Sequence, residues 1–494
     1  MKKFYSHFLI IFSFTLLFLI FLKEFYNDFP TNDSSIYTTY GSFIKDGKLL
    51  YQDLFDNKGP TIFFINLLGS IISYKSTKGV LLLELILFLS MIYFVSKFIF
   101  LDRCYKFLLL SLLVLSYVAQ FYGGNLDTTW FLIFATPVYI FFFSYVTQMY
   151  KLSSLQRKLF SIYFGICFSF IFFLKFNYLF GLSIILLFYL LENKKHLSQI
   201  VICFSIGILI TLLVLYFSLF LNNPNFINDI FKSYFFYNSQ YAFQHNYSDN
   251  IIINTLLFML KNLRDFFKVF YKEPIIIFIL ISLLMSQIIF KKEFYQKKLY
   301  IVLIILCSDG ISLILAPVRQ ASLLYIVPSL LIFQYLLFQR SIKVKKNYIL
   351  FFLIFLIYFK QGVFTKTHNY YDIKLLDNIK KRSDLAQEFK ALAICSFTTG
   401  SIWFLKTNLE SLSKFYFTPP LNKREYLGQL YKKYYNIIND KRPNYIFVNP
   451  YCYQEDLLIS HFKLINSLGY SEIFKTQIKD TQMFNNTRVF YLSD

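Results

Sequence analysis

Residues 61–74 read TIFFINLLGSIISY, and the side on which every later loop falls depends on whether this stretch crosses a bilayer. It is apolar but shorter than the roughly 20 residues a spanning helix needs. The expectation is a helix lying flat in the membrane interface. Just before it, residues 27–60 read NDFPTNDSSIYTTYGSFIKDGKLLYQDLFDNKGP, a polar segment in a chain otherwise rich in Phe, Leu and Ile. It gathers Asp28, Asp33, Asp46, Asp53 and Asp56 with Lys45, Lys48 and Lys58.

Composition sets the class. The 494 residues are 56% hydrophobic and 16% charged, where a soluble domain carries about a quarter charged, and the mean hydropathy is +0.50. This is the composition of an integral membrane protein. A net charge of +22 raises the question of nucleic acid. The Lys and Arg, however, sit in short clusters between apolar runs, as membrane orientation requires, so no nucleic-acid partner is expected. Six scattered Cys without Cys-x-x-Cys, and five His with no pair at ligand spacing, point to no metal.

Residues 7–22 resemble a signal peptide, but no small-x-small site follows, and they are read as an uncleaved first helix with a cytoplasmic N-terminus. With 61–74 flat, further crossings are expected at 79–100, 106–122, 128–149, 158–175, 178–191, 199–221, 274–290, 299–317, 320–338 and 347–360. This makes about eleven transmembrane helices. The loops then assigned to the cytoplasm are DRCYK, KLSSLQRK, ENKKH, KKEFYQKK and RSIKVKK, all basic. A crossing at 61–74 would turn them outward, against the orientation bias.

The expected fold is therefore an all-α polytopic membrane domain over 1–361 with outer loops at 27–60 and 222–273, followed by a small α/β extracytoplasmic domain at 362–494. The loop 222–273 suggests amphipathic helices along the outer surface. In the tail, strands are expected at 391–396, 444–449 and near 488–493, and helices around 422–439 and 456–469. About 130 residues suffice for a core. Cys395 and Cys452 both fall there, and their pairing would require specific geometry.

Chemistry concentrates in the outer loops. Asp33, behind Pro30, is a candidate general base toward an acceptor hydroxyl; Asp at that position also suits the N-cap of a helix starting SSIYTTYGSFIK. Lys58, ahead of Gly59 and Pro60, is placed to hold a lipid phosphate, or simply to snorkel at the interface. Asp127 in FYGGNLDTTW is placed to converge with Asp33, or to cap a helix from Thr128. Lys175 and Asn177 stand where a helix turns back at the outer surface, and charge there is a functional hypothesis by default. Arg319, in LAPVRQASLLYIVPSLL, is either an anion partner or a helix anchor.

An Asp soon after the first helix, the segment Gly-x-x-x-Tyr-x-Asp-x-x-Asp-x-Lys-Gly-Pro (Gly47 to Pro60, including Asp56), Gly-Gly-Asn-Leu at 123–126, and Lys175-x-Asn177 together resemble bacterial GT-C glycosyltransferases. The likeness covers roughly residues 1–340. It is nearest the enzymes that decorate lipopolysaccharide core, lipid A or cell-wall polymers, with aminoarabinose and protein O-mannosyl transferases more distant. The resemblance implies a polyprenyl-phosphate-linked sugar as donor and a glycan or lipid acceptor, used on the outer face of the cytoplasmic membrane. It also implies Asp33 as catalytic acid-base residue, Lys58 as phosphate holder with Lys175 or Arg319, Asp127 as the second-loop acid, and a juxtamembrane helix after Lys58-Gly59-Pro60. Where many relatives have Asp-Glu, this chain has Asp33-Ser34, which gives a divalent metal no support. Around Arg319 it reads RQASLLY where relatives often carry Tyr and His.

Two rivals stand beside this expectation. A repeat-unit polymerase would carry key arginines in large outer loops, where few occur here. A lipid or polysaccharide transporter would call for polar or broken helices near the bilayer middle, whereas the spans read as almost entirely apolar.

Overall fold

The computed structural model describes residues 2–26, 32–99, 125–146, 152–236, 390–394, 410–411, 424–448, 463–475 and 488–492. It also describes isolated helical positions within 106–114, 257–264, 301–310 and 327–332. The crossings expected at 274–290 and 347–360, together with Arg319, Cys395 and Cys452, lie outside the described residues. So does most of 106–122, 299–317 and 320–338.

The described chain is mostly helical. It runs α1 (Lys2–Tyr26), α2 (Asn32–Lys45), α3 (Pro60–Ile72), α4 (Lys78–Phe98), α5 (Asp127–Val146), α6 (Ser154–Phe172), α7 (Leu179–Glu192), α8 (Leu197–Leu215) and α9 (Phe226–Ile230). Among the described residues, four segments are long and apolar enough to cross a membrane: Lys78–Phe98, Asp127–Tyr145, Ser154–Phe172 and Lys194–Phe220. They mark the chain as a membrane protein. Helix α7, expected as a crossing, has 14 residues; at 1.5 Å per residue it spans about 21 Å, less than the roughly 30 Å of hydrocarbon.

Contacts divide the chain into two compact bodies, one of residues 1–28, 81–217 and 247–366 and the other of 29–80, 218–246 and 367–494. In the first, α5 is the inner helix, with 89% of its apolar window buried against 28% for Lys194–Phe220. Helices α6 and α8 approach through Gly165 and Gly207, where a Cβ on either glycine would run into the other helix's backbone. Close packing of small residues is how helices adhere in lipid, where burial from water offers no drive.

In the second body α2 and α3 lie side by side and run parallel. Thr38 Oγ1 donates to Asn66 Oδ1 at 3.3 Å, Ser42 Oγ meets Ser70 Oγ at 3.2 Å, and the Tyr74 hydroxyl donates to Asp46 Oδ2 at 2.6 Å. Each of these pairs is 28 residues apart, a constant offset that only parallel helices give. Gly41 makes the approach feasible, because a Cβ there would overlap the Asn66 backbone. Phe63 of α3 is the aromatic hub, facing Tyr37, Tyr40 and Tyr51 at 6.0, 5.6 and 6.3 Å between ring centres.

The polar run of α2 is not the solvated loop its composition suggests, for residues 34–42 are all buried. Burying hydroxyls is costly unless they are bonded. Thr39 and Ser42 meet this by donating to the carbonyls of Ser35 and Thr38 one turn back, at 2.7 and 3.0 Å.

The described C-terminal residues form a mixed five-stranded sheet from β1 (Lys390–Ile394), β2 (Glu410–Ser411), β3 (Tyr445–Val448), β4 (Ser471–Lys475) and β5 (Arg488–Tyr491). Its order is β2-β1-β3-β5-β4, with β1 parallel to β2 and β3, and β5 antiparallel to β3 and β4. The helix α10 (Arg424–Lys441) follows β2 and precedes β3 in the chain, the crossover that strands running in the same direction require. The central strands and α10 match expectation. The two missed strands, β2 and β4, are the edges; both carry charge (ES and SEIFK), which resists further pairing, and β2 is only two residues long.

Gly41→Ala is expected to destabilise the protein by about 1–3 kcal/mol through overpacking of α2 on α3, read as a lowered unfolding temperature in detergent solution. An unchanged temperature would show that the pair yields without cost.

Candidate functional site

The parallel arrangement of α2 and α3 requires residues 46–59 to bring the chain back along the pair. The return is tightly tied. Gly47 has φ +90°, a conformation that glycine tolerates best, and its N–H donates to the Ile44 carbonyl at 3.0 Å. Asp53 Oδ2 accepts the Leu49 N–H at 2.8 Å. Tyr51 adopts a left-handed backbone (φ +67°), its N–H donating to the Leu54 carbonyl and its buried hydroxyl to the Lys58 carbonyl at 2.5 Å. From α2, the Tyr40 hydroxyl donates to the Phe55 carbonyl at 2.7 Å. The chain therefore re-enters at Lys58-Gly59-Pro60, at the same end of the pair as Asp33.

Three sequence candidates fall at this end of the pair or on the segment that leads to it. Asp33 lies in the first turn of α2, inside the helix that begins at Asn32 and not at its cap. A carboxylate there is favoured by the helix dipole. Asp56 is buried, 3% exposed, and its Oδ1 accepts the Lys58 N–H at 2.9 Å. Burial pushes the Asp56 carboxyl up to about 6; the Lys58 ammonium and backbone N–H oppose the rise and the charge of Asp33 adds to it. Asp56 thus feels both Asp33 and Lys58. The Tyr51 phenol is raised well above its ordinary range by burial, then by Asp56 and Tyr234.

The remaining candidates lie in the first body. Asp127 occupies the first turn of α5, one residue earlier than expected and within the helix. Its Oδ2 pairs with Lys175 Nζ at 3.3 Å and accepts the Tyr178 hydroxyl at 3.2 Å. Lys175 also lies 5.0 Å from the Tyr178 ring centre. The structure joins Asp127 to Lys175, while Asn177 is buried in the short 3-10 turn Phe176–Tyr178. Among the described residues, no three His, Cys, Asp or Glu gather as metal ligands would.

Two acids in this body are buried within apolar segments. Glu84 of α4, 1% exposed, accepts the Asn125 N–H at 2.6 Å and so anchors the left-handed residue (φ +53°) that leads into α5. Asp309, also 1% exposed, accepts the Tyr139 hydroxyl at 2.8 Å and the Ser329 hydroxyl, with Gly181 of α7 packed directly against it. A lone Asp in an apolar run was the available signal for the second. Its partners, 170 and 20 residues away, were not legible.

No protein-family model and no curated protein matches this chain.

Because the Asp56 carboxyl is raised above its ordinary 3.8, its contribution favours the fold most below about pH 4 and is lost as pH rises through about 6. Asp56→Asn, which keeps the acceptor for Lys58, should therefore gain on the wild type by up to about 3 kcal/mol between pH 4 and pH 7, measured as the difference in unfolding temperature. A pH-independent difference would remove the buried charge from the account. Asp309→Ala should cost about 1–3 kcal/mol for each hydroxyl left unpaired. Asp309→Asn, which retains an acceptor, should cost less; equal losses would assign the effect to volume alone.

Proposed function

We propose that this protein is a membrane glycosyltransferase that moves a sugar from a polyprenyl-phosphate donor to a cell-envelope glycan or lipid acceptor. The proposal includes about eleven crossings, a cytoplasmic N-terminus, and action on the outer face of a bacterial cytoplasmic membrane. The observation that carries it is the parallel packing of α2 on α3 at a constant 28-residue offset, which supports the acid in the first turn of α2 and the ammonium just before α3 sharing one end of the pair.

In the proposed step the acceptor hydroxyl gives its proton to Asp33 as its oxygen bonds to the anomeric carbon. The bond from that carbon to the phosphate oxygen breaks, and the lipid phosphate leaves with the electron pair. Lys58 offsets the charge growing on the leaving phosphate, where a positioned cation is most effective. Displacement on the opposite face inverts the anomeric centre. Asp56 holds the Lys58 backbone and so positions the ammonium without touching substrate.

A transporter of lipid-linked glycan is the second reading, favoured by the buried acids Glu84 and Asp309. Detergent solution separates the two, since transport has no meaning without compartments.

With purified protein in detergent, a polyprenyl-phosphate sugar and extracted envelope acceptor, Asp33→Asn is expected to lower turnover about 10²–10⁴-fold. Lys58→Met should lower maximal turnover as well as raise the donor concentration needed. Undiminished turnover in Asp33→Asn would take that residue out of the chemistry, and absence of sugar transfer by the wild type would favour the transporter.

A further inference from the structure

The opposite end of the α2–α3 pair gathers a different set of side chains. Lys45, in the last turn of α2, donates from Nζ to the Ser70 carbonyl at 3.0 Å and lies 4.7 Å from the Tyr74 ring centre. Lys75 lies 5.1 Å from the same ring, so two ammoniums bracket one phenol. The Tyr74 hydroxyl is turned to Asp46, the carboxylate of the group, at 2.6 and 2.8 Å. Lys48 is exposed three residues beyond Lys45, and Lys78 is half-buried at the start of α4. Gly79 packs against Gly69 and Ser73, which keeps Lys78 beside the end of α3.

The apolar side chains change character at the same place. Ile62, Phe63 and Ile65, earlier in α3, are 3% exposed or less, whereas Ile71 and Ile72 in its last turn are 61% and 51% exposed and Tyr74 is 44% exposed. Exposed aliphatic groups rimmed by ammoniums and a phenol are the amphipathic pattern of a membrane interface. The apolar groups enter the acyl region, the phenol sits at headgroup level, and lysines reach to phosphates. Four lysines outnumber the carboxylates of Asp46 and of Asp53, which accepts the Leu49 N–H beside Lys48, and leave the rim positive, which selects an anionic headgroup over a zwitterionic one.

We propose that this end of the α2–α3 pair is an anionic-phospholipid site, in which Ile71 and Ile72 enter the acyl layer and the ammoniums of Lys45 and Lys75, aided by Lys48 and Lys78, hold the headgroup phosphate. The site is separate from Asp33: the helical rise from Asp33 to Lys45 is about 18 Å. It depends on the membrane character of the chain and not on glycosyl transfer.

The full chain carrying Ile72→Trp, reconstituted into phosphatidylcholine vesicles containing a fifth phosphatidylglycerol, gives a local readout. The signal is the fluorescence difference from the unsubstituted protein, with brominated acyl chains placed on one lipid or the other. The expected result is quenching by both lipids, with phosphatidylglycerol favoured roughly fivefold or more over phosphatidylcholine at equal mole fraction. The preference should shrink in high salt, which needs no substitution, and in the triple variant Lys45→Gln, Lys48→Gln, Lys75→Gln. Quenching by neither lipid would overturn the placement of α3 in the acyl layer. Equal quenching by both, or a preference insensitive to salt, would overturn the anionic site. Sugar transfer measured in detergent is unaffected by either failure, so the two proposals fall separately.

Discussion

The parallel contact between α2 and α3 is the constraint on which the candidate site depends. Antiparallel helices joined by a short turn would place Asp33 and Lys58 at opposite ends of the pair. Parallel helices oblige the intervening residues 46–59 to run back along their full length, and the start of α2 then lies level with the start of α3. The direction is held by polar contacts at one spacing, Thr38 with Asn66 and Ser42 with Ser70, and by the missing side chain of Gly41. Sliding either helix by a residue would leave these buried hydroxyls facing the wrong partners, at the cost of an unmade hydrogen bond each.

The return segment is as determined as the helices it joins. Tyr51 is held by its left-handed backbone, its hydroxyl bond to the Lys58 carbonyl, and ring contacts to Phe63 and to Phe220 at 6.1 Å. Against this frame Asp56 is an expense to stability, a carboxyl buried where its ionised form is poorly solvated. A buried acid beside a half-buried lysine and a second acid is the kind of arrangement that accompanies function more often than packing alone.

Within the first body, buried acids serve as connectors between distant segments. Glu84 reaches a backbone N–H 41 residues away, and Asp309 gathers hydroxyls from Tyr139 and Ser329. In an apolar setting each such bond is specific, because no water competes for the acceptor. Asp127 and Lys175, by contrast, remain partly exposed, at 16% and 29%, and their pairing carries correspondingly less energy.

The sequence by itself determined what depends on composition and local period: a membrane chain, apolar helices of spanning length, a 13-residue helix too short to span after Pro60, and short apolar runs for the central strands. Those properties are set within a few turns of chain, where hydrophobic periodicity and helix signals act. Asp33, Lys58 and Asp127 were legible as charges beside apolar runs, but their surroundings were not. Only the tertiary structure decided that the polar run Ser34–Ser42 is buried, that Asp56 is buried and holds the Lys58 backbone, that Lys175 answers Asp127, and that Asp309 has partners. Burial and charge pairing depend on which surfaces meet across tens of residues, and in this chain that is settled by the direction in which α3 lies on α2, a choice no local pattern encodes.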